Sequence, residues 1–130
     1  MEHLDTGKYS LSKVGDRYVH VIMYADQELT IEEVPTVTAY FRQFQGRVPV
    51  LVDRQGRYAL SAGAQIAFIK HAKDLFSALG FLDHTPLQRK ITQIAGMTYL
   101  RGLPIRSFAE IRQAEAWLQR YGPLPPFKAV

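Results

Sequence analysis

The sequence predicts an α/β domain with a mostly parallel sheet and a leading antiparallel hairpin strand. Two segments rich in β-branched and aromatic residues lie near the N-terminus with a glycine between them, which predicts a hairpin. Beyond them, short apolar runs alternate with segments whose apolar residues recur every three or four positions. Strands that alternate with helices run parallel and are joined by right-handed crossovers, so the expected order is β-β-α-β-α-β-α-β-α.

Composition limits the kind of protein. The 130 residues are 47% hydrophobic and 22% charged, which fits one globular domain, residues 1–130, with a core over about 8–121 and a Pro-rich tail over 122–130. No apolar run approaches the ~18 residues of a membrane span, and the first residues lack a basic, apolar signal peptide. Because cysteine is absent, disulfides and thiolate nucleophiles are excluded. We expect a cytoplasmic domain with no membrane partner.

The hairpin strands are predicted over residues 9–13 and 18–24, with Gly15 in the turn. Thr30 and Glu33 then form a capping box, which marks a helix start. Pro35 lies so close to this cap that we expect the helix to begin irregularly or at Pro35 itself. Gly46 is expected to end the helix, whose inner stripe comprises Val34, Val37, Phe41 and Phe44.

The middle of the chain predicts two buried strands and one helix. Residues 48–52 (VPVLV) show no polar alternation, as expected of a strand covered on both faces, and residues 53–57 follow as a polar loop. A helix is expected from about residue 61 to 72 with Ile66 and Ile69 inward. Residues 77–82 predict the next strand.

The last third predicts two helices around one short strand. Thr85, Pro86 and Gln88 mark the clearest helix start, with Gly102 as its end. Its inner face is expected to comprise Leu87, Ile91, Ile94 and Ala95. Residues 103–108 predict a strand, and the final amphipathic helix carries Ile111, Ala114, Trp117, Leu118 and Tyr121.

A family resemblance rests on three segments. Residues 49–53 (PVLVD), residues 103–108 (LPIRSF) and the following Ala114, Trp117 and Leu118 are similar to an uncharacterised bacterial branch of the STAS, or SpoIIAA-like, domains. These domains are named for anti-sigma factor antagonists. The resemblance covers about residues 8–120 and implies a SpoIIAA-like fold.

The resemblance also draws attention to Ser61. Antagonists of this family carry a phosphorylatable serine at the start of the second helix, in an Asp-Ser-Ser-Gly context. Residues 60–63 here are LSAG, so the phosphoacceptor position falls on Ala62, the preceding serine on Ser61 and the family's aspartate on Leu60. Ser61 could therefore be a phosphoacceptor or a helix cap. Serine is a preferred N-cap residue, and the N-terminus of a helix also suits the negative charge of a phosphate.

Polar residues follow two neighbouring predicted strands. Asp53 and Arg54 follow the first, and Asp83 and His84 follow the second. Ligands of open α/β sheets bind at such carboxyl ends, so these loops could bind a small molecule, or form a hydrolytic site with Ser61. No Gly-any-Ser-any-Gly elbow is present, and the four histidines lack metal-ligand spacing. We therefore predict no catalytic residue, no metal and no cofactor.

The charge is unevenly distributed. The net charge is +4, and residues 41–130 hold thirteen basic and five acidic residues. Nucleic-acid binding through this basic part is an alternative function. The basic residues are dispersed along two helices and a strand without a recognition motif, so solvated helix faces explain them better.

The second hairpin strand predicts an interaction surface. If the helices cover mainly one side of the sheet, the other side needs a partner, because exposed apolar patches mark interaction sites. We therefore expect a non-enzymatic protein-interaction or regulatory domain that forms a homodimer and binds a protein partner the residues do not identify. The expected interface residues are Tyr18, His20, Ile22 and Tyr24, which alternate with Val19, Val21 and Met23.

Overall fold

A computed structural model describes residues 1–129. The chain forms eight strands and four α-helices, with short 3-10 helices before the first α-helix and after the last. The strands are β1 (His3–Asp5), β2 (Tyr9–Val14), β3 (Tyr18–Met23), β4 (Gln27–Leu29), β5 (Val48–Arg54), β6 (Tyr58–Leu60), β7 (Phe76–Leu82) and β8 (Ile105–Phe108). The helices are α1 (Val34–Phe41), α2 (Ala62–Leu75), α3 (Pro86–Met97) and α4 (Ile111–Leu118).

Six strands form one mixed sheet in the order β1-β2-β3-β5-β7-β8. The pairs β1·β2 and β2·β3 are antiparallel, whereas β3, β5, β7 and β8 run parallel. The predicted α/β class and the leading hairpin are thus confirmed. The hairpin strand β2 is not the edge of the sheet, because β1 lies outside it. Strands β4 and β6 pair in a separate parallel ribbon. The sequence did not predict β1, β4 or β6, since three residues are too few to show a period.

The two faces of the sheet are covered differently. Helices α1, α2 and α3 lie over the face that carries Leu11, Val21, Val50 and Leu79, which belong to the larger core. Helix α4 lies over the opposite face, where Leu51, Trp117 and Leu118 form part of a second core. Alternation along the strands therefore separates two cores on either side of one sheet.

The start of α1 is irregular, as Pro35 predicts. The capping box joins Thr30 and Glu33, whose carboxylate accepts the Thr30 backbone N–H at 2.6 Å. This box caps a 3-10 turn over Ile31–Glu33, and α1 itself begins at Val34. The helix ends at Phe41 and not at Gly46, since the following turn directs the chain toward a bridge between Phe44 and Phe127.

Two helices place different residues inward than their apolar pattern predicts. Ile66 of α2 and Leu87 of α3 are each 68% exposed, whereas Thr92 is 2% exposed. The prediction was correct for Ile69 and Ala95, which pack in the core, and wrong for the exposed Ile66, Leu87, Ile91 and Ile94. At the inner face of α3 a polar side chain, Thr92, binds the end of the sheet instead. None of the helices within residues 1–129 has the length and apolar character needed to cross a bilayer.

The last residues do not form a free tail. The Leu124 N–H donates to the carbonyl of Asp16 at 2.9 Å, and the Leu124 side chain is buried. Phe127 packs against Phe44 with ring centroids 4.8 Å apart. The prolines keep this segment extended, as the sequence predicts, and the apolar residues between them attach it to the core.

The two-core packing generates a stability prediction. Leu51 is fully buried beneath α4, so Leu51→Ala removes contacts that the surrounding residues replace only in part. We expect the free energy of unfolding to fall by about 2–5 kcal/mol. Chemical denaturation followed by circular dichroism measures this change. The matched control, Ile66→Ala, alters an exposed side chain of α2 and is expected to shift stability by no more than about 0.5 kcal/mol.

Candidate ligand-binding site

A large cavity lies between the sheet and the three helices α1, α2 and α3. Its volume is about 790 Å³. Protein interiors are packed like organic crystals and contain few voids larger than a water molecule. Small-molecule sites occupy roughly 300–1,000 Å³, so this space has the size of a ligand site and not of a packing defect.

The walls of the cavity are overwhelmingly apolar. Inward residues of the central strands form its floor, among them Met23, Val52 and Phe81. The helices contribute further aliphatic and aromatic side chains, among them Phe41, Phe68, Ile69 and Ile91. Alternation along β2, β3, β5 and β7 accounts for the floor, because every second residue of each strand faces the helices.

The cavity opens to solvent between β6 and α3. Helix α2 packs on α1 while α3 packs on β8, so the two helices leave a gap between them. Leu60, Leu87, Ile91 and Tyr99 line the cavity and are also exposed. Leu87 and Ile91, which the sequence assigned to the inner face of α3, therefore lie at this opening.

One end of the cavity is polar. Arg54, Arg57, Thr85 and Gln88 line it, and they lie at the carboxyl end of β5 and the start of α3. The Thr85 hydroxyl accepts the Gln88 backbone N–H at 3.1 Å and so caps α3. The carboxyl ends of parallel strands are the usual ligand position in such sheets, and here the polar groups of the cavity lie there.

A buried ion pair lies at this polar end. The Arg54 Nη1 donates to Asp83 Oδ1 at 3.0 Å, and the two residues are 5% and 1% exposed. Asp83 also accepts the Thr92 hydroxyl at 2.6 Å and the Ser107 hydroxyl at 2.7 Å. The guanidinium lies over the Phe81 ring, with its carbon 4.2 Å from the centroid. The Asp83 carboxylate is thereby well satisfied, which a buried charge requires.

The four sequence-predicted loop residues form two pairs and not one site. Arg54 and Asp83 meet on the cavity side of the sheet. Asp53 and His84 meet at the same end, with His84 Nε2 2.8 Å from Asp53 Oδ1. Neighbouring residues of a strand point to opposite faces of the sheet. Asp53 and Arg54 therefore lie on opposite sides, and so do Asp83 and His84.

Ser61 caps α2. Its hydroxyl accepts the Ala64 backbone N–H at 3.2 Å, which confirms the helix-cap role. Within residues 1–129 no hydrogen bond joins Ser61 to His84 or Asp53, so the three residues do not form a hydrolytic triad. The phosphoacceptor role of Ser61 stays a prediction.

The predicted aromatic interface is only partly present on the second face of the sheet. Tyr18 is buried beneath α4, and its hydroxyl donates to Glu115 Oε2 at 3.0 Å. Burial and this hydrogen bond raise the pKa of Tyr18. The Tyr24 hydroxyl donates to Asp5 at 2.9 Å. On this face of β3 the half-buried side chains are His20 and Ile22, since α4 covers Tyr18.

Sequence reasoning missed the cavity and the roles of Thr92 and Ser107. One signal was available in the sequence. Val50, Val52 and Arg54 are spaced two residues apart, so in one strand they point to the same face. The sequence predicts that the strand ends at Val52 and that Arg54 lies in a loop, whereas β5 extends to Arg54. Within residues 1–129, no group of three or more His, Cys, Asp or Glu side chains converges as a metal site.

The buried ion pair generates a double-mutant prediction. Arg54→Met leaves the Asp83 carboxylate buried without its countercharge, so stability should fall by about 3–5 kcal/mol. Adding Asp83→Asn removes that charge, and the double variant should be more stable than the sum of the single losses predicts. Urea denaturation of all four proteins measures the coupling. Strictly additive losses would show that the pair contributes nothing as a pair.

His20 generates a pH prediction. Burial lowers the pKa of His20 below its ordinary value of 6.5, although the carboxylates of Asp53 and Glu115 oppose the shift. The unfolded chain therefore binds a proton before the folded one does as the pH falls. The stability that neutral His20 confers is complete above 6.5 and is lost as the pH falls through its lower folded pKa.

We expect His20→Phe to flatten the stability profile between about pH 7 and about pH 5. Thermal unfolding across that range measures the effect. Hydrogen bonds from the backbone N–H groups of Gly7 and Thr30 lower the pKa values of Asp5 and Glu33 below 3.8 and 4.5, so these carboxylates titrate in a separate, more acidic window. An unchanged profile in the variant would contradict the assignment to His20.

Comparison with known proteins confirms the fold. The structure matches the crystal structure of an uncharacterised protein from the DUF3478 family with a SpoIIAA-like fold, from Shewanella loihica PV-4, with a TM-score of 0.63 and 19% sequence identity. The match covers 85% of this chain and 91% of that chain. No curated protein matches the sequence. Residues 13–122 match the family described as a domain of unknown function (DUF7793), and the chain, with its SpoIIAA-like fold, belongs to this family.

Proposed function

We propose that the domain is a non-enzymatic binding protein for an apolar small molecule, which occupies the cavity between the sheet and α1, α2 and α3. The observation that carries this proposal is an apolar space of about 790 Å³ that opens to solvent. Water in such a space would contact mostly aliphatic and aromatic walls. A ligand that displaces it gains the free energy of removing apolar surface from water.

The side chains of the cavity support binding without chemistry. Its lining contains no Asp, Glu, His, Lys, Cys or Ser residue, so no nucleophile lies beside a general base within it. The Asp53 and His84 pair belongs to the opposite side of the sheet. A cytoplasmic location, which the absence of cysteine favours, would suit a protein that signals by its ligand occupancy.

Self-association is the second candidate function, and a different observation favours it. Leu87, Ile91, Ile94 and Met97 are all exposed along one side of α3. Contiguous exposed apolar side chains mark interaction surfaces. This surface replaces the predicted aromatic face of β3 as the better candidate for a homodimer contact, since Tyr18 is buried within the chain.

A cavity-blocking variant tests ligand binding. Val52→Phe on the sheet and Ile69→Phe on α2 add ring atoms from opposite walls, so together they should reduce the space that a ligand needs. We expect the double variant to bind the neutral fluorescent probe N-phenyl-1-naphthylamine at least about tenfold more weakly than the wild type. Titration of probe fluorescence measures both affinities.

The matched control is Ile111→Phe, which enlarges an exposed residue of α4 on the other side of the sheet. It should bind the probe as the wild type does. Thermal unfolding of each variant shows that the folds are intact. Equal probe affinity in the folded double variant and the wild type would contradict binding in the cavity.

The α3 surface generates an oligomer prediction. Light scattering of the purified protein should give the mass of a dimer. Ile94→Asp places a charge on the α3 surface without altering the cavity lining, so it should shift the mass toward the monomer. Ile111→Asp is the control, since Ile111 is exposed to a similar extent on α4. A monomeric wild type at high concentration would contradict self-association.

A further inference from the structure

We infer that the ligand of this cavity is an amphipathic monocarboxylate, whose apolar body lies between the sheet and the helices and whose carboxylate lies between Arg54 and Arg57. This inference rests on the proposed function and adds the chemistry of the ligand's head group. The apolar lining alone would accept any hydrocarbon. The polar end selects the head group of the ligand.

The first observation is an unsatisfied donor on Arg54. This residue lines the cavity and is 5% exposed. Its Nη1 donates to Asp83, to Thr92 and to the carbonyl of Gln88, but its Nε is buried without a hydrogen-bond partner. A buried donor without an acceptor destabilises a fold. The Nε has almost no accessible surface, so a ligand acceptor reaches it only when the Arg54 side chain turns toward the cavity. That contact would remove this penalty, so the bound state is favoured by more than apolar contact.

The second observation is the unbalanced charge of Arg57. Arg54 and Arg57 are the charged residues of the cavity lining. Asp83 neutralises Arg54, whereas Arg57 forms no ion pair within residues 1–129. Asp26 and Glu28 lie in the segment that pairs with residues 57–60, and the Asp26 backbone N–H donates to the carbonyl of Arg57. Within residues 1–129 neither carboxylate forms an ion pair with Arg57. The Arg57 guanidinium therefore has no direct ion-pair partner at the polar end.

The backbone adds to this charge. Helices α2 and α3 both begin near the polar end, as shown by Gln65 in the first turn of α2 and by Thr85 and Gln88 at the start of α3, which line the cavity. The first turns of helices carry partial positive charge. An anion at this end is therefore favoured by two helix termini in addition to the guanidinium groups.

The balance of charge favours a carboxylate over a phosphate. One unpaired guanidinium matches a single negative charge. A phosphate monoester carries about −1.5 to −2 at neutral pH, so it would bring excess charge into an apolar cavity, where an unpaired ion is strongly disfavoured. A carboxylate also offers the planar pair of acceptors that arginine recognises.

Three ligands of equal chain length test the head group. Dodecanoate, methyl dodecanoate and dodecanol share one apolar body, but only dodecanoate is charged. Displacement of N-phenyl-1-naphthylamine at about pH 8 and low ionic strength gives their affinities, with thermal unfolding as a check of the fold. We expect dodecanoate to bind about tenfold or more tightly than the other two, as expected for one charge-assisted contact.

Two arginine variants locate the contact. Arg57→Gln removes the unpaired charge and should weaken dodecanoate by about tenfold while leaving methyl dodecanoate unchanged. Arg89→Gln is the matched control, because Arg89 is an exposed residue of α3 outside the cavity lining, and it should leave all three affinities unchanged. An equal loss of dodecanoate affinity in both variants would overturn the assignment, since it would reflect only the net charge of the protein.

The possible outcomes distinguish a failure of this inference from a failure of the proposed function on which it rests. Equal affinity for the three ligands overturns the carboxylate assignment and leaves the apolar binding function standing. Failure of these ligands and of the neutral probe to bind overturns both. Tighter binding of dodecanoate that persists in Arg57→Gln and is lost in folded Arg54→Lys, which lacks Nε, would place the head group on Arg54 alone and overturn the role of Arg57.

Discussion

The ion pair between Arg54 and Asp83 is the interaction on which the cavity side of the molecule depends. It joins the ends of β5 and β7, and Thr92 brings α3 to the same point through hydrogen bonds to both partners. Ser107 of β8 also donates to Asp83, so the same carboxylate attaches the edge strand. Because a polar side chain attaches α3 to the sheet, the apolar residues of that helix are free to line the opening. The buried charges therefore determine both the position of α3 and the polar end of the cavity.

The two faces of the sheet differ in how completely they are filled. On one face, Trp117 of α4 packs between Phe108 and Tyr121, with ring centroids 5.6 and 5.1 Å away. On the other face, three helices span six strands, and a gap separates α2 from α3. A face packed by one helix forms an ordinary core, whereas a face bridged by separated helices keeps an internal space. Helix α4 therefore stabilises the fold, and the opposite side holds the space that we propose as a ligand site.

Much of the fold follows from local patterns, and the site follows from them only in part. The hairpin, the capping box at Thr30 and the start of α3 at Thr85 were predicted because their signals involve residues a few positions apart. The sequence identified the four residues at the strand ends but did not show which of them pair with each other. Thr92 lies nine positions from Asp83, and Arg54 lies 29 positions from it, and no local pattern relates such residues. Asp53 and Arg54 point to opposite faces of the sheet because β5 extends as far as Arg54. Sequence patterns do not locate the end of a strand that accurately.

By itself, the sequence determined the class of the fold, the order of its main strands and helices, and the cap at Ser61. Those features depend on periodicity and capping, which act within one element. The tertiary structure decided which faces of α2 and α3 point inward, that the last residues pack on the core, and that a cavity remains beneath the helices. Each of these depends on how far apart two packed elements lie, and that distance is a property of their partners and not of their own residues. The same reason explains why the polar end, with its unpaired Arg57, became visible only in three dimensions.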